Sequence, residues 1–369
     1  RMMDAFERKD FLDRKVEFLP SKKAVAERRQ NNRGLTRPEI AVLVSYAKMD
    51  IYQNLLESNF PDDDYLEADL LRYFPKPMRT DFAGAIEGHQ LSREIIATSV
   101  TNSMVNRAGI TFFFQLQEDT GLPGCDIARS YIVARDMFDM HDLWRDIEDS
   151  KNKIPAEAQA MMVAETSRFL ERTVIWMLRN LPQPLDIRQI LEDYRSGVDE
   201  YIETADSLIS DTLDKAYSDK KKRYLERGAT KDLAHRIARM EIASCALDVV
   251  KIARETKLDI QTVGRTYFEI GAKLRLGWLR REASRMPIDN YWERLAAKSI
   301  NSEMYDHQRR LAASVVPNLC KKKDCGLAIE RWKDANNKTM ARYTRFIEDL
   351  KTNESVTFPM LVIALRNVE

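Results

Sequence analysis

Apolar positions recur at spacings of three and four along nearly the whole of this 369-residue chain. That period places them on one face of successive α-helices. Thr36-Arg37-Pro38-Glu39 is a helix start: Thr36 caps, Pro38 suits the first turn, and Glu39 can close a capping box. The helix that follows is apolar almost all round from Ile40 to Ala47, so it is expected to be central; it stops at Asn59-Phe60-Pro61. A shorter helix ends at Tyr73-Phe74 because Pro75 disfavours helical geometry in its predecessor. Arg93–Gln117 reads as one long helix, closed by Gly121-Leu122-Pro123-Gly124. Helices are then expected over Asp126–Met137 and Ala156–Leu181, with a second break at Pro182-Gln183-Pro184.

In the second half, a long amphipathic helix is expected from about Val198 to Arg227, ending at Gly228. Ala238, Ile242, Cys245, Val249 and Ile252 form a packing seam. Asp259 caps a helix that reaches Arg285 before Pro287, and two more lie near Asn290–Ser314 and Gly326–Leu350. Val356–Leu365 suits a strand or a short helix almost equally. The expected fold class is all-α, a multi-helix array or bundle. Residues 121–124 and 182–184 are possible sub-boundaries.

One stripe departs from the usual pattern. Thr98, Asn102 and Asn106 recur every four residues and so stack on one helix face. A solvated stripe normally carries Lys and Glu. Burying an unpaired amide costs about 1–3 kcal/mol, so these groups are expected to meet polar partners, within the fold or on another domain. Arg37, Arg93 and Arg107 adjoin strongly apolar helices, and each guanidinium can grip a carboxylate across an interface. These six residues are the candidate docking face. An arginine that merely lays its stem along apolar surface is the plainer alternative for each of the three.

Composition narrows the chemistry. Hydrophobic residues are 44% and charged residues 32%, which suits a soluble, charge-laced helical protein. Lys+Arg is 59 against Asp+Glu at 58, a balance with no general attraction to nucleic acid or anionic membrane. The basic run Lys220–Arg223 complements the acidic start of its own helix, and a nucleic-acid surface would need a wider basic face. No apolar run is long enough for a membrane span. Four scattered cysteines suggest reduced thiols and a cytoplasmic setting. Cys320 and Cys325 lack the second ligand pair that structural zinc wants, so no metal site is expected.

No glycine-rich phosphate loop is present; Gly264, Gly271 and Gly277 sit in a helical pattern and are better explained by close helix crossing. His89, His141, His235 and His307 have no neighbouring nucleophile, and structural roles are expected for all four. No catalytic, cofactor-binding or metal-binding residue is assigned. The chain begins at Arg1, in mid-pattern, and is expected to be a piece of a longer polypeptide.

Several uncommon strings, in order, resemble the C-terminal region of the large bacterial-type NAD-dependent glutamate dehydrogenases. They are Gly34-Leu35-Thr36-Arg37-Pro38-Glu39-Ile40-Ala41-Val42-Leu43, Arg93–Thr98, Val105–Phe112, Ile132-Val133-Ala134-Arg135-Asp136 with Phe138-Asp139, Ala246–Val250, and Gly277-Trp278-Leu279-Arg280. The resemblance implies a whole enzyme that oxidatively deaminates L-glutamate to 2-oxoglutarate and ammonium and reduces NAD. It implies that substrate and NAD are bound upstream of Arg1, leaving no cofactor in these residues. It further implies a helical part that packs on its own catalytic domain or supports a homo-oligomer. The rival expectation is a free-standing helical adaptor that binds partner proteins and has no catalytic activity.

Overall fold

The computed structural model describes residues 1–208, 211–319, 325–353 and 355–367. Helix is the only regular secondary structure among them, as α-helices joined by short 3-10 turns. The chain divides into two compact units, Arg1–Asp193 with Arg227–Ala229, and Tyr194–Glu226 with Thr230–Glu369.

In the first unit the most central helix is Gly124–Met137, in which twelve of fourteen residues are buried. It packs against Ala156–Asn180 and Arg37–Leu56. The expectation that the Ile40–Ala47 stretch is central needs correction. Arg37–Leu56 buries one face only, through Leu43, Ala47, Asp50, Ile51 and Leu55, while Ile40 is 41% and Met49 52% exposed. Its buried face closes on an N-terminal cluster of Met3, Phe6, Leu12 and Leu19. Phe6 there meets Phe11 and Phe114 edge-on at 5.8 and 5.2 Å, the geometry that aromatic quadrupoles favour.

The expected single helix over Arg93–Gln117 is two, Ser92–Ala108 and Phe112–Thr120. Gly109 between them has φ +97° and ψ 160°, a region essentially confined to glycine. The Ser167 hydroxyl donates to the freed Ala108 carbonyl at 3.0 Å, which satisfies the helix end. At the other expected start, the Thr36 capping box is present in full.

The second unit is built around the 25-residue helix Tyr291–Val315. Ala246–Thr256, Ile260–Lys273, Leu276–Arg285 and Phe358–Arg366 pack on it. The Val356–Leu365 alternative is thereby resolved as helix. The helix expected over Val198–Arg227 is interrupted: Ile187–Thr204 is followed by a 3-10 turn, Ala205–Ser207, and Asp211–Glu226 is separate. The seam Ala238, Ile242, Cys245, Val249 and Ile252 is buried throughout, although it runs over three short helices rather than one. The helix capped by Asp259 ends at Lys273, and Arg275, with φ +54°, starts a new direction at Leu276. The Gly326–Leu350 stretch likewise parts at Asn336.

A side chain added at Gly264 would lie 2.7 Å from Leu208 Cδ1, and one at Gly271 would lie 2.5 Å from Gln308 Nε2, so both mark close approaches. Gly277 does not: an added Cβ there meets nothing nearer than Arg281 Nη1 at 3.8 Å. Cys320 and the residues that follow it to Asp324 lie outside the described residues.

Candidate functional site

The polar-striped helix Ser92–Ala108 lies against Arg37–Leu56, Glu67–Tyr73 and Ala156–Asn180. Its two arginines bind inside their own unit. Arg93 pairs with Asp62 and donates to the carbonyls of Leu56 at 2.9 Å and Ser58 at 3.1 Å. It thus ties down the C-terminal end of the neighbouring helix. Arg107 reaches Glu148 at 2.6 Å and lies 4.9 Å from the ring centre of Trp144. Between them, Thr98 and Asn102 are half-buried and Asn106 is exposed, and no side chain of the three is hydrogen-bonded to another described residue. Ser103 on the adjoining face is bonded, to the Tyr131 hydroxyl at 2.7 Å.

Arg37 is exposed at the first turn of its helix and forms no ion pair with another described residue. It heads a second stripe of mostly uncharged residues, which the sequence pattern did not single out. Arg37, Ala41, Ser45, Met49 and Gln53 are all exposed and spaced by four, with Ile40 at the flank. From Ala41 to Gln53 this outer face carries no charged residue; Arg37 heads it, and Gln53 donates to the Glu57 carboxylate at its far end at 2.6 Å. Further large apolar side chains are exposed nearby in sequence: Val16, Tyr73, Phe82, Leu91 and Phe18. Phe18 is 91% exposed and has φ +53°, a left-handed conformation that bulky residues rarely adopt.

A buried ionic cluster stands behind these faces. Arg135 is fully buried and forks onto Asp69 with bonds of 2.7 and 2.9 Å, while its Nε donates to Asp136 at 2.6 Å. Arg72 adds a contact to Asp69 at 3.1 Å, and the Tyr65 hydroxyl donates to Asp136 at 3.0 Å. Burial pushes the Asp69 carboxyl up, but Arg135, its hydrogen bonds and Arg72 more than reverse this, so the group lies below the ordinary carboxylate range. Burial and the facing Asp136 raise the Tyr65 phenol. Every charge here has a partner, which suits bracing rather than proton transfer. A charged pair closing the apolar run Tyr131–Ala134 was the sequence signal for it.

His89, His141 and His235 each have partners within their own unit. His89 Nδ1 accepts from the Leu91 amide at 3.1 Å. His141 meets Trp144 edge-on at 5.8 Å. His235 lies between the Tyr217 hydroxyl at 2.6 Å and Arg239 at 2.8 Å; burial, then Arg239, lower its pKa.

Residues 32–369 match the family model described as "Glutamate dehydrogenase, C-terminal". The chain belongs to this family. It is 29% identical over 368 residues to the NAD-specific glutamate dehydrogenase of Pseudomonas aeruginosa, and 29% over 368 residues to that of Halomonas elongata. To the Mycobacterium tuberculosis protein of the same name it is 28% identical over 361 residues. These alignments take in 97–100% of this chain but only 22–23% of each relative. The chain therefore spans under a quarter of the length of those relatives.

Within this chain, the strings that carry the family resemblance occupy definite structural places. Gly34–Leu43 holds the capping box, and Ile132–Asp136 holds the buried arginine cluster. Gly277–Arg280 forms the first turn of the Leu276–Arg285 helix.

Proposed function

We propose that this chain is the helical C-terminal part of an NAD-dependent glutamate dehydrogenase, which oxidatively deaminates L-glutamate to 2-oxoglutarate and ammonium. The observation that carries this is the family match over residues 32–369, together with relatives more than four times as long that are named for that activity. In this reading NAD and glutamate are bound by residues outside these 369, and the helical units brace the catalytic domain and a cytoplasmic homo-oligomer.

The docking faces in this reading are the uncharged stripes of the first unit: Arg37 with Ile40 and Met49, and Thr98–Asn102–Asn106. Two features support them. Their exposed positions carry apolar and amide groups where a solvated helix carries acid–base pairs. The side chains of Arg37, Thr98, Asn102 and Asn106 are also unspent on described residues of this chain, so a partner surface gains by meeting them. Arg93 and Arg107 act beneath the face, holding the two ends of the helix that presents it.

The test follows NADH formation from glutamate and NAD. The intact polypeptide is expected to turn over, and the 369-residue chain alone is expected to give no signal. Turnover by the chain alone, or none by the intact polypeptide, would overturn the reading.

A further inference from the structure

The second unit contains a cavity of about 120 Å³ that the proposed activity does not use. It opens beside the break between Ile260–Lys273 and Leu276–Arg285, and Gly277, Trp278 and Arg280 of the second helix line it. Its lining includes three guanidiniums, those of Arg275, Arg280 and Arg281, against one carboxylate, Glu241. Like charges gather at considerable cost unless an opposite charge joins them.

Arg280 is the decisive group. Its guanidinium lies 3.6 Å from the ring centre of Tyr305, and its Nη2 donates to Gln308 Oε1. Both partners are neutral. Its Nε is buried and has no acceptor among the described residues. A buried donor without an acceptor costs about 1–3 kcal/mol, more when charged, so the arrangement invites an anion. The guanidinium is also held in place. Gln308 is buried and donates through Nε2 to the Tyr267 carbonyl at 2.8 Å. Its amide orientation is thereby set, and its Oε1 faces Arg280. Gly271 makes room for this amide, since any added Cβ would lie 2.5 Å from Gln308 Nε2. The first turn of Leu276–Arg285 adds the positive end of a helix dipole to the same lining.

We propose that this cavity binds a small organic carboxylate, with its oxygens on Arg280 and its body against Phe268 and Trp278. The volume is below that of an engineered apolar cavity that holds benzene, roughly 150 Å³, which limits the ligand to a few carbons. The apolar walls favour a carboxylate over inorganic phosphate, although both are oxyanions that a guanidinium fork recognises. The proposal does not depend on the activity of the whole polypeptide.

Calorimetry on the intact polypeptide, with propionate and with inorganic phosphate at matched ionic strength, tests it. Propionate is expected to bind saturably. Arg280→Gln is expected to weaken that event at least about tenfold, the loss of one charge-assisted hydrogen-bond pair. Arg281→Gln, at an exposed position where folding is safe, is expected to weaken it a few-fold. Gly271→Ala is expected to weaken it by displacing Gln308, with circular dichroism unchanged. The assignment is overturned if propionate shows no saturable event, or if the event survives unchanged in both arginine variants. Phosphate binding without propionate binding overturns the carboxylate reading as well.

Discussion

Arg135 is the residue on which the first unit's interior depends most. Its guanidinium is buried and bonded to two aspartates on separate stretches of chain. Removing one partner of such a pair leaves an uncompensated buried charge, so Arg135→Met is expected to cost about 3–5 kcal/mol in chemical denaturation. Replacing both sides, as in Arg135→Met with Asp69→Leu, should recover part of the loss, because the buried Asp69 carboxylate leaves with its partner while Asp136 keeps the Tyr65 hydroxyl. The folded pKa of Asp69 lies below its unfolded value. Its contribution to stability is therefore fully present above the unfolded value, about pH 3.9, and is lost as pH falls through the lower folded one. Denaturation midpoints measured from neutral to strongly acidic pH should fall across that window, and the fall should be shallower in Asp69→Asn. A flat profile in the unsubstituted protein would show that Asp69 is not held as described.

Helix ends decide the architecture at the next scale, and they differ in how openly the chain announces them. Thr36→Ala removes a hydroxyl that accepts from the Glu39 amide, and should cost about 1 kcal/mol in urea unfolding. Gly109→Ala should cost about 1–3 kcal/mol by the same measurement. An added Cβ there meets no neighbour, so the whole penalty is the backbone conformation and not a clash. Gly109 permits a stop, but the apolar run Ile110–Phe114 beyond it carries the helical pattern straight through. The break at Arg275 gave no such signal. Leu274 and Leu276 are both fully buried, and the Tyr343 hydroxyl donates to the Leu274 carbonyl. Packing on both sides, with a partner for the freed carbonyl, turns the chain there, and neither is encoded in the local sequence.

For the molecule as a whole, the outward faces of the first unit are where function is expected to register. Met49 is 52% exposed, so Met49→Glu should leave helicity and thermal unfolding of the chain unchanged. In the intact polypeptide the same change is expected to lower glutamate-dependent NADH formation several-fold or loosen subunit association, read by light scattering; a buried carboxylate without a partner costs several kcal/mol. Asn102→Ala with Asn106→Ala should act in the same direction. If activity and assembly are untouched in both variants, these stripes are ordinary solvent faces. No helix among the described residues is long and apolar enough to cross a membrane.

The order of residues by itself determined that the chain is helical, where several of its helices start, and which family it joins, because periodicity, caps and uncommon strings are local properties. It also marked Thr98, Asn102 and Asn106 as an anomaly, since four-residue spacing needs no knowledge of neighbours. Only the tertiary structure decided that Gly124–Met137 is central rather than Ile40–Ala47, that Arg135 meets Asp69 from 66 positions away, and that Arg280 lines a cavity with two further arginines against one carboxylate. Burial and charge pairing depend on which distant segments fold against a residue, and no local pattern carries that information.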